Sequence, residues 1–416
     1  MSKKEQNNPS ILLINRYFYP DVAAVAQLMG DLAEDFIKEG MDVGVIRGNT
    51  SYNEKENTKV ENEELFERVD IHKVLSVDLD SRSSIIHLIN FLSFHISALL
   101  RLLRLKPKDV VITFTSPPLI SFEGYLSKLF KGSKFVHVVE DIYPEVAAEM
   151  GFINKGSGFT NFARSISGFI LRRADKIVVL SDNMKEKILE RNVDENKVKV
   201  IPNWNDGDKV YPVPDQDNWF TEDHDLRGKF IVEYSGHMGE GHDFDPMLEC
   251  AESMQVYEDI VFLFIGDGPR KEEIQDYVKT KGLGNVKLLP YQERSDLRFS
   301  LSAADVSLVS LRSNLKGLIV PSKIYGILAA GSPVVYLGDE ESEIARIVKE
   351  AECGEVVSSE STKGLEKAIR KIYSDEGIKK EYGRNARSYF MENFDRKIAT
   401  EKYCKMIKET INENLS

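Results

Sequence analysis

Six apolar runs in the first half of the chain show almost no polar alternation, and this property restricts the fold more than any other. They are ILLIN from Ile11, DVGVI from Asp42, DVVITF from Asp109, KFVHVV from Lys134, DKIVVL from Asp175 and KVKVIPN from Lys197. A strand with one wet face alternates apolar and polar residues. A continuous apolar strand is covered on both faces, as in a parallel sheet whose crossovers are helices. Stretches of helical spacing separate the runs. One is LMGDLAEDFIKEG, which sets Leu28, Leu32, Phe36 and Ile37 on one side and stops at Gly40.

The rhythm then breaks and restarts. Trp204 to Lys229, WNDGDKVYPVPDQDNWFTEDHDLRGK, is polar, carries two prolines and has no period. It reads as a linker with its flanks. FIVEYS, DIVFLFIG, NVKLLP, ADVSLVSL, SPVVYLG and GEVVS follow, again with helical stretches between them. The expectation is an α/β protein of two doubly wound domains facing an interdomain cleft. Residues 1–205 form the first domain, 206–229 the linker and 230–390 the second domain. The charged helical tail, 391–416, is expected to cross back to the first. A length of 416 residues, 42% of them hydrophobic, suffices for two cores.

Charge and cysteine usage narrow the function. A net charge of -12 without a basic stripe argues against a nucleic-acid partner. Cys250, Cys353 and Cys404 are far apart and form no CxxC pair. They suit a reducing, cytoplasmic setting rather than a disulfide framework or a zinc site. The polar start MSKKEQNNPS lacks the apolar core of a secretion signal. SIIHLINFLSFHISALLRLLRLKPK, from Ser84, is too interrupted to span a bilayer. Its plain reading is a helix packed in the core. The sharper reading is a peripheral contact of residues 84–108 with the cytoplasmic membrane face, Arg101, Arg104, Lys106 and Lys108 turned toward anionic lipid.

Chemistry concentrates where loops follow strands. In PSKIYGILAAGSPVVYLG, Pro321 suits the first turn of a helix, where free N–H groups meet Ser322 and Lys323. That combination fits an anion such as a diphosphate. The plain alternative is an ordinary helix start with an exposed lysine. FLFIGDGPRKEEI places Gly266, Gly268 and Pro269 between a strand and a helix. It is not a dinucleotide fingerprint, because Lys271 stands where GxGxxG needs glycine. EYSGHMGEGHDFD is a second glycine-rich loop, and HVVEDIYPEVAAEMG puts Glu140, Asp141 and Glu145 at a strand end. Such carboxylates hold sugar hydroxyls or act as a general base; their plain reading is helix capping or solvation. Two DxD triplets, Asp78–Asp80 and Asp243–Asp245, arise easily in so acidic a chain. Asp78 and Asp80 read as surface residues, Asp243 and Asp245 as a helix start.

Taken in order, the segments RYFYPDVAAVAQ, DVVITFTSPPL, VEDIYPE, RRADKIVVLSDNM, VIPNW, YSGHMGEGHDF, FIGDGPRKEE, VPSKIYGILAAGSPVV and SEIARIV resemble the GT-B glycosyltransferases of family 4. The similarity is to the bacterial branch of fucosamine and colanic-acid polysaccharide transferases and runs over most of the chain. It implies GT-B architecture, two Rossmann-like domains, and transfer of a sugar from a nucleotide sugar, UDP-linked in preference to GDP-linked, to a glycan or lipid-linked glycan. It further implies mostly retaining, metal-independent chemistry without a cofactor. In the second domain Gly266, Asp267, Gly268 and Pro269 would lie by the base. Ser322 and Lys323 would hold the diphosphate, helped by the loop of Gly236, Gly239 and His242, with Glu343 near the ribose or donor sugar. In the first domain the loop of Tyr19, Ala23 and Ala24 would face the reacting carbon together with Asp141, and Glu140 stands where many relatives carry histidine. The catalytic set implied is Asp141, Glu140 and Lys323.

The chain departs from the family's pattern in places. Ala23 and Ala24 replace two glycines, and Glu240 stands where relatives often carry arginine. The paired glutamates spaced eight apart are missing, with Leu318 and Gly326 in their positions. An epimerase or phosphorylase on the same scaffold, or a non-catalytic nucleotide-binding partner, therefore remains an open alternative.

Overall fold

A computed structural model describes residues 8–19, 21, 23–49, 68–77, 84–115 and 117–413. The chain divides into two compact units. Unit 1 takes the described residues of Met1–Ala148, Asn154–Pro202 and Ala399–Ser416; unit 2 takes Glu149–Ile153 and Asn203–Ile398. Asp78 and Asp80 lie outside the described residues.

Unit 1 is built on β1 (Ser10–Ile14), β2 (Asp42–Gly48), β3 (Asp70–Val74), β4 (Val110–Phe114), β5 (Lys134–Val139), β6 (Lys176–Val179) and β7 (Val198–Val200). Every pairing is parallel, in the order β3-β2-β1-β4-β5-β6-β7. The strand order reverses between β1 and β4, the switch point at which such sheets open a crevice. Its helices are α1 (Ala24–Lys38), α2 (Ser84–Arg104), α3 (Ser121–Lys131), α4 (Gly158–Arg173) and α5 (Asp182–Leu189). The right-handed crossover rule sets α2, α3 and α4 on the sheet face opposite α1, because the chain runs back across the sheet after β3. On that face Phe94, Ala98 and Leu102 of α2 pack over Leu12, Ile14 and Val111.

Unit 2 is a parallel sheet of β8 (Phe230–Ser235), β9 (Ile260–Ile265), β10 (Val286–Leu289), β11 (Val306–Ser310), β12 (Val334–Leu337) and β13 (Gly354–Val357). The order is β10-β9-β8-β11-β12-β13, so the switch point lies between β8 and β11. Around it stand α6 (Asp245–Ser253), α7 (Lys271–Lys281), α8 (Leu297–Ser302), α9 (Lys323–Ala329), α10 (Glu343–Glu350), α11 (Thr362–Ser374) and α12 (Glu376–Asn393). One sheet face carries Phe230, Val232, Tyr234, Phe262 and Phe264 against apolar residues of α6 and α11. The last helix, α13 (Arg396–Asn412), belongs to unit 1 from Ala399 onward. There Lys408 Nζ meets Glu39 at 2.8 Å and Lys176 Nζ meets Glu413 at 2.7 Å.

Two expectations need correction. The stretch 206–229 is no free linker but part of unit 2. Sparse apolar residues anchor it: Phe220 and Leu226 are buried beneath Ile231, Leu263 and Ile265. Two prolines and many acids hid those anchors. The strand β3, DIHKV, was not among the expected runs, because it lies at the sheet edge and alternates exposed and covered residues.

Candidate functional site

Beside the switch point of unit 2, the loops after β8 and β9 lock together through their backbones. Gly236 N–H donates to the Ile265 carbonyl at 2.9 Å, and Met238 N–H to that of Asp267 at 2.8 Å. Gly266 and Gly268 have φ of 141° and 150°. A Cβ on Gly266 would fall 2.0 Å from the Gly236 carbonyl oxygen, and one on Gly268 2.5 Å from that of Met238. Only glycine permits this conformation and this approach. The pairing leaves Asp267 and Pro269 exposed on the outer edge of the loop. Gly239 is buried against the His237 ring, which a Cβ there would strike at 2.7 Å.

Lys323 reaches into the same place from the start of α9. Its Nζ is shut off from solvent and has no hydrogen-bond partner among the described residues. It lies 3.3 Å from the centroid of the Tyr234 ring and beside Gly236. An ammonium over an aromatic face gains only part of what water gave it, and burial pushes this amine well below the usual lysine range. Two imidazoles lie within its field. His242 is pushed down to about 3 by burial and then by the Lys323 charge, and His237 is lowered by the same two causes in the same order. His242 Nδ1 lies 2.6 Å from the Ser310 carbonyl. Since a carbonyl only accepts, Nδ1 carries the proton and Nε2 offers a lone pair. Three nitrogen bases thus lie close together, and among the described residues no carboxylate pairs with the lysine. Ser322, one residue earlier, is exposed.

The other positions of unit 2 are occupied differently. Glu343, at the start of α10, is buried and gripped by Arg346 at 2.5 and 3.1 Å. Glu240 lies 3.9 Å from Arg270, which also holds Asp245 and Glu273. Asp243 accepts from Arg312 Nε at 3.0 Å, and only Asp245 lies within α6. Leu318 is buried, and Gly326 sits against Asn205 and Leu301. A cavity of about 530 Å³ at the amino ends of β11 and β12 is lined by Asp305, Pro333, Lys379, Arg384 and Arg387. Lys379 there is bound to Asp305 at 2.7 Å, and Arg387 donates to the carbonyls of Val210, Ala329 and Gly207. Those two cations serve the fold.

In unit 1, Asp141 follows β5 and is densely surrounded, which pushes its carboxyl up to about 6. The N–H of Glu140 donates to Thr115 Oγ1 at 2.9 Å, which fixes the chain at the strand end. Glu145 is committed to Arg191 at 2.5 Å and Arg164 at 2.8 Å, a structural pairing. Tyr19 packs against Gly30, and Ala23 N–H is met by Asp21 at 3.1 Å. Ala24 opens α1, and Ala23 before it supplies no side-chain cap. Sequence reasoning missed Tyr234, the surface on which Lys323 rests. Its place as the tyrosine of YSG, two residues before the loop glycine Gly236, was the available signal.

Comparison with known proteins agrees with this architecture. The family model described as Glycosyltransferase Family 4 matches residues 25–209, and that described as Glycosyl transferases group 1 matches residues 215–389. The chain is 27% identical over 311 residues to the probable glycosyltransferase WbjE of Pseudomonas aeruginosa, covering 75% of this chain and 77% of that one. It is 24% identical over 350 residues to the putative colanic acid biosynthesis glycosyl transferase WcaI of Escherichia coli K12, covering 81% and 85%. Among solved structures, Anabaena HepE in complex with UDP and glucose aligns with a TM-score of 0.74 at 13% identity, over 97% of this chain and 100% of that one. The chain belongs to the family 4, group 1 glycosyltransferases and has their two-domain GT-B fold.

Proposed function

We propose that this glycosyltransferase moves a sugar from a UDP-sugar to a glycan or lipid-linked glycan, with retention of configuration, in the building of a surface polysaccharide. Anabaena HepE, of similar fold, was solved with UDP and glucose, which favours UDP over GDP. The observation that carries the reading is the orphaned Lys323 Nζ among glycine-lined backbone. A diphosphate would return the charge partner that burial removed, and the same contact would stabilise negative charge on the departing nucleotide. Gly266, Asp267, Gly268 and Pro269 would line the base, with Ser322 on the phosphates. Gly236, Gly239 and His242 would close the phosphate loop, and Glu343, oriented by Arg346, would meet the ribose or sugar. Asp141, with Glu140 beside it, would take the acceptor's proton, and Tyr19, Ala23 and Ala24 would shape the acceptor loop. The reaction would need neither metal nor cofactor. The protein would work on the cytoplasmic face of a membrane, in contact through residues 84–108.

Leu318 and Gly326 offer no carboxylate where relatives carry two, which favours one second reading: a nucleotide-binding protein without turnover. A thermal-shift panel of UDP, GDP and ADP, followed by assays of nucleotide release from the matching sugars, separates the two. UDP raising the melting temperature, with release from a UDP-sugar, is the expected result. A shift without release under every acceptor supports the second reading, and no shift with any nucleotide sinks both.

A further inference from the structure

Three adjacent helices of unit 1 leave apolar side chains in water along their outer surfaces. On α2 these are Ile89, Leu92, Ile96, Leu100 and Leu103, one stripe at helical spacing, while Phe94, Ala98 and Leu102 face inward. On α3 they are Phe122, Leu129 and Phe130, and on α4 Phe159, Phe162 and Phe169. Exposure is high for rings of this size: 65% for Phe130, 67% for Phe159 and 65% for Phe162. Single exposed apolar residues are ordinary, whereas a run across three helices marks a contact surface.

The helices are joined side to side, so the stripes form one face. Between α2 and α3, His95 Nδ1 meets Glu123 Oε1 at 2.6 Å, and Lys131 Nζ donates to the Leu103 carbonyl at 3.2 Å. Between α3 and α4, the Tyr125 and Phe169 rings stand edge to face at 5.8 Å, with the Arg173 guanidinium 3.4 Å from the Phe169 centroid.

Charge says what covers this face. The sequences of α2, α3 and α4 contain one acid, Glu123, and it is buried. Their last turns carry Arg101 and Arg104, Lys128 and Lys131, and Arg172 and Arg173. This stands within a chain of 67 acidic and 55 basic residues. Lys128 is shared with Asp175 at 2.8 Å, and the other five cations leave a net basic edge beside the bulky apolar residues, which complements an anionic lipid surface. A helix of 21 residues is about 30 Å long at 1.5 Å per residue. No helix among the described residues is apolar enough to cross a membrane. With one side of α2 in the core and the other in water, a bilayer would meet it lying flat.

We propose that the joint outer face of α2, α3 and α4 is a docking surface for an anionic lipid bilayer. The phenylalanines of α3 and α4 do as much of the insertion as α2. The inference rests on the membrane contact proposed above and widens it beyond residues 84–108. Sedimentation with vesicles of phosphatidylcholine, with and without phosphatidylglycerol, tests it. The wild-type chain is expected to sediment with the anionic vesicles, to be released by salt, and to stay in solution with the neutral ones. Phe130→Asp and Phe162→Asp, both at exposed positions, should each lower the bound fraction about tenfold with the melting temperature unchanged. Light scattering without lipid checks the other occupant: a dimer dissolved by the same substitutions assigns the face to a second copy and overturns the proposal. Wild-type protein that ignores anionic vesicles, or variants that bind as well as wild type, also overturn it. UDP-induced thermal shifts measured on the same samples report on the donor site alone, so failure of docking and failure of the sugar-transfer reading are told apart.

Discussion

Consecutive residues of β8 lead to opposite faces of the second sheet, and each leads to an ionisable group with no hydrogen-bond partner among the described residues. Past Tyr234 lies the Lys323 amine, and one residue back is Glu233, 1% exposed, with neither carboxylate oxygen hydrogen-bonded. Burial pushes the lysine well below its usual range and the glutamate well above its own, so each is held toward its neutral form. The surroundings differ. Lys323 stands at the carboxyl ends of the strands, beside the backbone of glycine loops and an exposed Ser322. Glu233 sits mid-strand between its ladder neighbours Leu263 and Ser307. A desolvated charge marks a binding site where a ligand can reach it. Where none can, the same symptom is a cost carried by the fold.

Asp141 tests how far this distinction extends, because it too is desolvated and stands at a strand end. Asp141→Asn should lower kcat by about 10²–10⁴, the range for loss of a general base. In the wild type, kcat/KM should climb as pH passes about 6, when the carboxyl ionises, and that limb should vanish in the variant. A variant with near-normal turnover removes Asp141 from the chemistry. Next in size, Lys323→Ala should cost about 10²–10³ in donor-dependent turnover while the protein stays folded. If turnover survives, the two buried groups are alike and the comparison fails.

Glu233→Leu should do the reverse: leave turnover unchanged and stabilise the fold by about 1–3 kcal/mol, read by urea unfolding at pH 8. The sign follows from proton linkage. A carboxyl whose folded pKa is raised contributes most below its unfolded value near 4.5, and that contribution is lost as pH rises through the folded value. The gain from leucine should therefore be larger at pH 8 than at pH 5, and an equal gain at both would remove the linkage. The smallest effect is on protons. Burial holds the Lys323 amine below the usual lysine range, and a diphosphate beside it should raise it again. Calorimetry of UDP binding in two buffers of different ionisation enthalpy should show net proton uptake, growing as pH is raised. Lys323→Ala should show none.

Much of the architecture was readable because continuous apolar runs report parallel strands directly. FIVEYS, DIVFLFIG and ADVSLVSL became β8, β9 and β11, and the order of loops after them located Gly236, Gly266 and Lys323. What stayed hidden depends on partners distant in sequence. FIVEYS reads as a strand whether or not Glu233 has a neighbour to bond. DIHKV looks like surface because an edge strand shows water half of its residues. Trp204 to Lys229 looks like a tether because its few anchors, such as Phe220 and Leu226, meet residues far along the chain. The helix from Ser84 was read as either core or surface, and it is both, one stripe for each. That answer required knowing which helices lie beside it.

The interlocked loops after β8 and β9 limit how this protein can be re-engineered. With the Gly236 carbonyl against Gly266 and the Met238 carbonyl against Gly268, neither loop can drift, lengthen or gain a side chain at these points without displacing the other. Attempts to retarget the proposed base site should leave the glycines alone and vary Asp267 and Pro269, which are exposed beyond the joint. Libraries that randomise the whole segment would spend most of their members on chains that cannot close it.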